Sequence, residues 1–242
     1  MNFIKNLFKQ EILETDLLKD AVEIHCHLLP GVDDGVQVMD ESIETLTWMH
    51  NAGYKKVFFT PHIMTDWSKN NAESLTNHFE QFKANVPTGL EVGLAAEYMM
   101  DADFEGHMDT PFLSYDGKHM LMETSYQAAS PFMENHVYDV QMKGMIPIFA
   151  HPERYEYLKK GDYAEIKSSG LLFQLNLMSL CGAYGSRAEE KAKFLLKNGM
   201  YNFVGTDTHR FVWLKNCMEK LRLSKDEIKS LKVLFEANKS LL

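Results

Sequence analysis

Five of the ten histidines lie in four short pieces, His25-Cys26-His27, Thr60-Pro61-His62, His151-Pro152-Glu153-Arg154 and Asp207-Thr208-His209, each ending a short apolar run. Two further runs end in carboxylates, Glu97 and Glu123. Imidazole and carboxylate are the usual ligands of borderline divalent metals, so strand ends that repeatedly carry them point to a multi-metal site. A lone buried histidine is more often a hydrogen-bonded core residue, and a lone glutamate at a strand end more often caps a helix; only the whole set speaks for metal. In an extended strand residues i and i+2 share a side, so His25 and His27 project together while Cys26 points away into packing. Asp207 and His209 repeat that spacing. The turn 29–35 carries Asp33 and Asp34, which could bond their own backbone as turn residues do. Because the turn hangs over the histidine pair, one of the two is expected to be a ligand. Pro61 holds Thr60 extended and keeps His62 at the strand mouth. Arg154 and Arg210 follow two of the histidines, and an arginine at the rim of a cation site can clamp phosphate or carboxylate through paired N–H donors.

The elements that must position these residues alternate along the chain. Runs 21–24, 55–60, 90–96, 119–122, 146–150, 171–177 and 201–205 are short and rich in Val, Ile, Leu and Phe, and read as strands. Between them lie helical patterns: Ile43, Leu46 and Met49 after Asp40 and Glu41 with Gly53 as a stop, then Leu75, Phe79, Phe82 and Val86, then 131–144 and 187–199. Two helices, 211–221 and 225–238, finish the chain. Seven βα units are one short of the eight-stranded barrel, whose sites gather at the carboxyl ends of the strands. Residues 21–242 are expected to form one such domain. Residues 1–20 stand outside the alternation. Their stripe of Phe3, Ile4, Leu7 and Phe8 beside Lys5 and Lys9 reads as a helix packed on the barrel or a neighbouring subunit, because two lysines make a weak basic face for a membrane surface.

Composition narrows the rest. With 242 residues, 45% of them hydrophobic, the chain can bury one substantial core. No stretch reaches the roughly eighteen apolar residues of a membrane helix, and the N-terminus does not read as a signal peptide. Cys26, Cys181 and Cys217 are too few and scattered for a disulfide framework, so a cytoplasmic location is expected. The net charge of -9 argues against nucleic-acid binding.

The stretches running from His25 to Gly35, Ala150-His151-Pro152-Glu153-Arg154-Tyr155 and Gly205-Thr206-Asp207-Thr208-His209 resemble the bacterial protein-tyrosine phosphatases of the PHP (polymerase and histidinol phosphatase) superfamily, those of capsule and exopolysaccharide synthesis. The resemblance implies an α/β fold, a distorted seven-stranded TIM-like barrel, with three divalent transition metals, manganese above all, or iron, cobalt or zinc. It assigns one metal to His25, His27, Glu97 and Asp207. A second would share Glu97 and add Glu123 and His151, and a third would take Asp34, His62 and His209. Arg154 and Arg210 would hold the phosphate, and the substrate would be an autophosphorylated bacterial tyrosine kinase of polysaccharide export. The oligomeric state stays open, a homo-oligomer included.

Three divalent ions over the four carboxylates of that set leave a cationic site that suits a phosphate dianion. Closely spaced metals can bridge a water, lower its pKa, and hold the phosphoryl oxygens for in-line attack by the resulting hydroxide. A tyrosyl leaving group, with a pKa near ~10, needs less acid help than an alkoxide. Trp67, Tyr98, Tyr126 and Tyr155 follow the ligand pieces and offer a docking surface for its ring. The alternatives are a PHP-type phosphatase of a small phosphomonoester such as histidinol phosphate, and a thiolate phosphatase built on Cys181 and Arg187, which satisfy the C-x5-R spacing. An amidohydrolase would want a lysine where Glu123 stands, and a non-catalytic binder would not need the full set.

Overall fold

Short runs of Val, Ile, Leu, Met and Phe become parallel strands, and the amphipathic stretches between them become helices. The structure, a computed structural model, describes residues 9–242. Strands β1 (Gln10–Glu11) and β2 (Ala21–Glu23) precede helix α1 (Met39–Ala52), and β3 (Tyr54–Phe59) resumes after Thr60 and Pro61 as β4 (His62–Ile63). Helix α2 (Ala72–Phe82) leads to β5 (Glu91–Leu94), which resumes as β6 (Glu97–Met99). Then follow β7 (His119–Glu123), α3 (Met133–Met142), β8 (Ile146–Ala150), α4 (Asp162–Ser168), β9 (Leu172–Asn176), α5 (Gly185–Lys197), β10 (Phe203–Gly205), α6 (Phe211–Lys220), β11 (Arg222–Leu223) and α7 (Lys225–Asn238).

One parallel sheet has the order β2-β3-β5 and a second the order β10-β9-β8-β7-β6-β4. Since β4 prolongs the run of β3 and β6 that of β5, the sheets share two stretches of chain and follow one another in sequence order. A lone parallel bridge joins Cys26 to Thr208. There the His27 N–H donates to Thr208 O at 2.9 Å and the Asp207 N–H to His25 O at 2.6 Å, linking the first run to the last.

Packing explains the continuous apolar character of the strands, which are covered on both faces. Val22, Ile24, Phe58, Ala95, Leu121, Ile148 and Phe203, drawn from successive runs, form one small buried cluster, where the Tyr115 hydroxyl donates to Ile24 O at 2.6 Å. Neighbours of opposite parity, such as Val57, Phe59, Met120, Met122 and Phe149, join the larger cluster with Leu46, Phe79, Val140 and Leu195 from the helices. Each such side chain contributes about 1.5–3 kcal/mol on burial. Capping boxes, Asn71 with Ser74 and Ser224 with Glu227, open α2 and α7, and Gly53, with φ of 114°, closes α1.

The described part of the N-terminal extension departs from the helical expectation. Thr15 accepts from the Leu17 N–H and breaks residues 12–18 into two 3-10 turns, whose Ile12, Leu17 and Leu18 are buried. Ahead of them, β1 pairs antiparallel with β11. Phe3, Ile4, Leu7 and Phe8 lie outside the described residues. Helix α4, unforeseen from the sequence, has seven residues and buries only Tyr163. No helix among the described residues is long and apolar enough to cross a membrane.

Candidate metal centre

All nine residues expected as ligands converge where the strands end. His25 and His27 follow β2, and the β4–β6 register sets His62 opposite Glu97, while β6 and β7 set Met99 opposite Glu123. Glu97 occupies the middle: its Oε2 lies 3.2 Å from His25 Nε2, 3.3 Å from His27 Nε2 and 3.2 Å from His62 Nδ1. Its Oε1 lies 3.1 Å from His151 Nε2. Asp207 Oδ1 is 3.4 Å from the nearest ring nitrogen of each of His25, His27 and His209. Glu123 Oε1 is 3.1 Å from His62 Nδ1, and Asp34 Oδ1 is 3.4 Å from His62 Nε2 and 3.3 Å from His209 Nε2.

Three groupings have ligand atoms mutually within 4.8 Å: His25, His27, Glu97 and Asp207; His62, Glu97 and Glu123; and His27, Asp34, His62 and His209. The first equals the set expected for one metal. In the second His62 stands where His151 was expected, although His151 touches Glu97. The third adds His27 to the expected trio.

The donors fit cations. His25 Nδ1 lies 2.9 Å from Gln174 Oε1 and His27 Nδ1 lies 2.8 Å from Asp33 Oδ2; both oxygens only accept, so both Nδ1 atoms carry hydrogen. The two Nε2 atoms then face each other at 3.3 Å. Two lone pairs so placed are compatible with a shared cation, or with a proton in its absence. Glu97 Oε2, His62 Nδ1 and His151 Nδ1 are buried without hydrogen-bond partners, and an unpaired buried carboxylate oxygen costs about 1–3 kcal/mol or more. The electrostatics agree. Burial and His27 push the His62 imidazole down, but Glu123 and Asp34 outweigh them and lift it to about 10. Burial pushes the Glu97 carboxyl up, yet His25, His151 and His27 hold it well below the usual carboxylate range.

Around these atoms stands a layer that the sequence reading missed. The turn placed Asp33 and Asp34 as equals, but Asp33 is buried, with its Oδ2 on His27 Nδ1 and accepting from His62 N at 3.1 Å, and its Oδ1 accepting from Gly35 N at 2.9 Å. Asp34, half exposed, faces His62 and His209. Gly35 permits this turn, since a Cβ there would stand 2.1 Å from His27 O. Gln174 and Asn176, polar at i and i+2 in an otherwise apolar run, were a legible signal: Gln174 orients His25, and Asn176 Nδ2 donates to Asp207 Oδ2 at 3.0 Å. Buried Glu153 accepts from the Asn176 N–H at 3.0 Å, the Ser179 hydroxyl at 2.8 Å and the Tyr201 hydroxyl at 2.9 Å, which fixes the end of β9. His151 and Asp207 adopt left-handed backbone, with φ of 34° and 52°, a conformation costly for non-glycine residues and typical of functional sites.

Arg154 hydrogen-bonds Asp207 and is sandwiched between the rings of Tyr126 and Tyr184, at 4.4 and 4.0 Å. Arg210 instead donates to the Gly35 and His209 carbonyls at the rim. Of the aromatics expected to dock a ring, Tyr98 and Tyr155 are buried, their hydroxyls bonded to Leu113 N and Ala150 O, so packing claims them. Tyr126 borders the centre, joined by Tyr184; Trp67 lines a separate cavity with Asp66 and His78. Cys26 is buried, its thiol donating to Phe58 O at 3.3 Å. Cys181 faces one cavity and Arg187 another, so the C-x5-R stretch does not wrap one anion site.

Comparison places this geometry in a class: the chain belongs to the capsular polysaccharide synthesis family CpsB/CapC, whose model matches residues 21–242. Among known proteins it is 28% identical over 200 residues to the tyrosine-protein phosphatase YwqE of Bacillus subtilis strain 168, covering 78% of this chain and 77% of that one. It is 24% identical over 201 residues to the tyrosine-protein phosphatase CpsB of Streptococcus pneumoniae, covering 78% and 82%. A crystal structure from work on YwqE and CpsB, described there as unique metal-dependent tyrosine phosphatases, shares the fold with a TM-score of 0.72 at 24% identity, over 89% of this chain and 94% of that one.

Proposed function

We propose that the protein is a metal-dependent protein-tyrosine phosphatase of capsule or exopolysaccharide synthesis. The observation that carries this reading is the pair of opposed Nε2 atoms of His25 and His27 beside the unpaired Oε2 of Glu97. His25, His27, Glu97 and Asp207 would hold one divalent ion, Glu97, Glu123 and His151 a second, and Asp34, His62 and His209 a third, with manganese the first choice and iron, cobalt and zinc compatible with N and O donors. Such ions supply Lewis-acid stabilisation of phosphoryl oxygens and an acidified water as nucleophile. The protein's own part is to orient and to balance charge. Asp33 and Gln174 fix the tautomers of His27 and His25, so that both Nε2 atoms are donors to metal. Arg154, held flat between two tyrosines, keeps further N–H donors for a phosphate beyond the one on Asp207. Burial and the nearby Glu123 carboxylate raise the Tyr126 hydroxyl far above the ordinary tyrosine range, so it stays protonated. A phenolic leaving group, with a pKa near ~10, departs with less acid help than an alkoxide, so aryl phosphates are favoured.

The seven runs are read as a distorted seven-stranded barrel closed between Cys26 and Thr208, with residues 21–242 as one domain. The family resemblance implies a phosphotyrosine-bearing bacterial tyrosine kinase of polysaccharide export as the substrate, met in the cytoplasm. The test is dephosphorylation of that kinase from the same organism by manganese-loaded protein. Chelation is expected to abolish activity and iodoacetamide to spare it; the reverse pattern would return the assignment to Cys181.

A further inference from the structure

Next to the metal centre opens a second cavity of about 290 Å³, whose walls include Arg154, Glu156, Tyr184, Arg187 and Lys191. Three cations, Arg154, Arg187 and Lys191, and two carboxylates, Glu153 and Glu156, line this opening. Arg154 is paired with Asp207, whereas the other two cations make no ion pair among the described residues. Arg187 is exposed and has no ion pair among the described residues. Lys191 donates to the Tyr155 carbonyl at 2.6 Å rather than to a carboxylate. Burial draws its ammonium below the ordinary lysine range; Glu156 opposes this, and Arg187 adds a smaller repulsion. Glu153, which also lines the cavity, is already occupied by Asn176, Ser179 and Tyr201. Like charges held together in this way favour an arriving anion.

Arg154 joins the two sites. Its guanidinium reaches Asp207 in the metal centre and lies 4.0 Å from the Tyr184 ring that walls the second cavity. We propose that this cavity is a subsite for a second anionic group of the substrate, a carboxylate or phosphate on a residue flanking the phosphotyrosine, held by Arg187 and Lys191. It rests on the reading of the centre as a phosphotyrosine phosphatase. Arg187 offers paired donors matched to either anion, and Lys191 adds a point charge. Tyr184 keeps the two anion positions apart, so Arg154 need not serve both.

The experiment compares three phosphotyrosine peptides that differ at one flanking residue, Gln, Glu or phosphoserine, with the full, metal-loaded chain at low salt. The Glu and phosphoserine peptides are expected to exceed the Gln peptide about fivefold in kcat/KM, with the difference fading as salt rises to about 0.5 M. Arg187→Glu should invert the order, and Lys191→Gln should flatten it; melting curves confirm that both variants are folded. A preference confined to the phosphoserine peptide supports the subsite and narrows its ligand to phosphate. Equal turnover of the three peptides, or a preference that survives Arg187→Glu, overturns the subsite and leaves the phosphatase reading in place. Failure of the metal-loaded protein to hydrolyse any of them overturns that reading, and the subsite with it.

Discussion

Asp33→Asn separates an oriented metal centre from a mere gathering of ligand atoms. The Asp33 carboxylate receives three N–H groups, from His27 Nδ1 at 2.8 Å, Gly35 at 2.9 Å and His62 at 3.1 Å. Asparagine keeps the shape and one oxygen but loses the charge. A hydrogen bond to a charged group contributes about 1.5–3 kcal/mol and a neutral one about 0.5–1.5 kcal/mol, so the bond at His27 weakens by about 1 kcal/mol. The new NH2 then faces an N–H on one side, and a buried donor left without a partner costs about 1–3 kcal/mol more. The sum, about 2 kcal/mol at its lower end, corresponds to about thirtyfold in an equilibrium constant. Metal affinity is therefore expected to fall about 10- to 100-fold, as when other orienting partners are removed. Calorimetric titration of chelator-stripped protein with Mn2+ reads this directly, and kcat/KM on a phosphotyrosine peptide should follow at subsaturating metal. A variant that melts like the parent and binds Mn2+ within threefold of it would falsify the orienting role of Asp33.

His151→Ala and Asp207→Ala should each lose phosphatase activity and bind less metal, and elemental analysis after gel filtration checks the second point. Apparent metal affinity should rise at least about tenfold per pH unit between pH 6 and 8, because the His62 imidazole, at about 10 without metal, must give up its proton when a cation arrives, and His25 and His27 are raised as well; proton release during titration measures it. For the metal-free fold the sign reverses: a raised histidine value contributes stability in full below 6.5, lost as pH climbs toward about 10, so the melting temperature of chelated protein should drop over that window. Phosphotyrosine peptides should exceed phosphoserine peptides at least ~10²-fold in kcat/KM, with Arg154→Ala lowering both, as assayed by phosphate release.

The strand ends were legible because the chemistry there is written at strand spacing: His25 with His27, and Asp207 with His209, share a side by alternation alone. Helices α1, α2, α3, α5, α6 and α7 carried enough periodic apolar positions to be seen. Strands β4 and β6 did not, since two or three residues after a break show no pattern; their pairing follows from the parallel course of the longer runs they prolong. Adjacent Asp33 and Asp34 could not be ranked from sequence, because the backbone of the turn decides which carboxylate is buried under His27. Tyr98 and Tyr155 look like Tyr126 in sequence, and only the packing of β6 and of the turn after β8 consigns them to the core. Tyr184 hid within a stretch whose cysteine and arginine suggested other chemistry.

The left-handed backbone of His151 and Asp207 bears on how this chain tolerates change. At both positions an L side chain sits where glycine would be comfortable, at a cost on the order of 1 kcal/mol or more each. Selection for foldedness alone would therefore drift toward glycine at two of the very residues the metals require. An inactive relative that has stopped binding metal is freed from that strain, so glycine at these two places marks a centre abandoned rather than a centre merely altered, and variants raised for heat resistance alone should be checked there first.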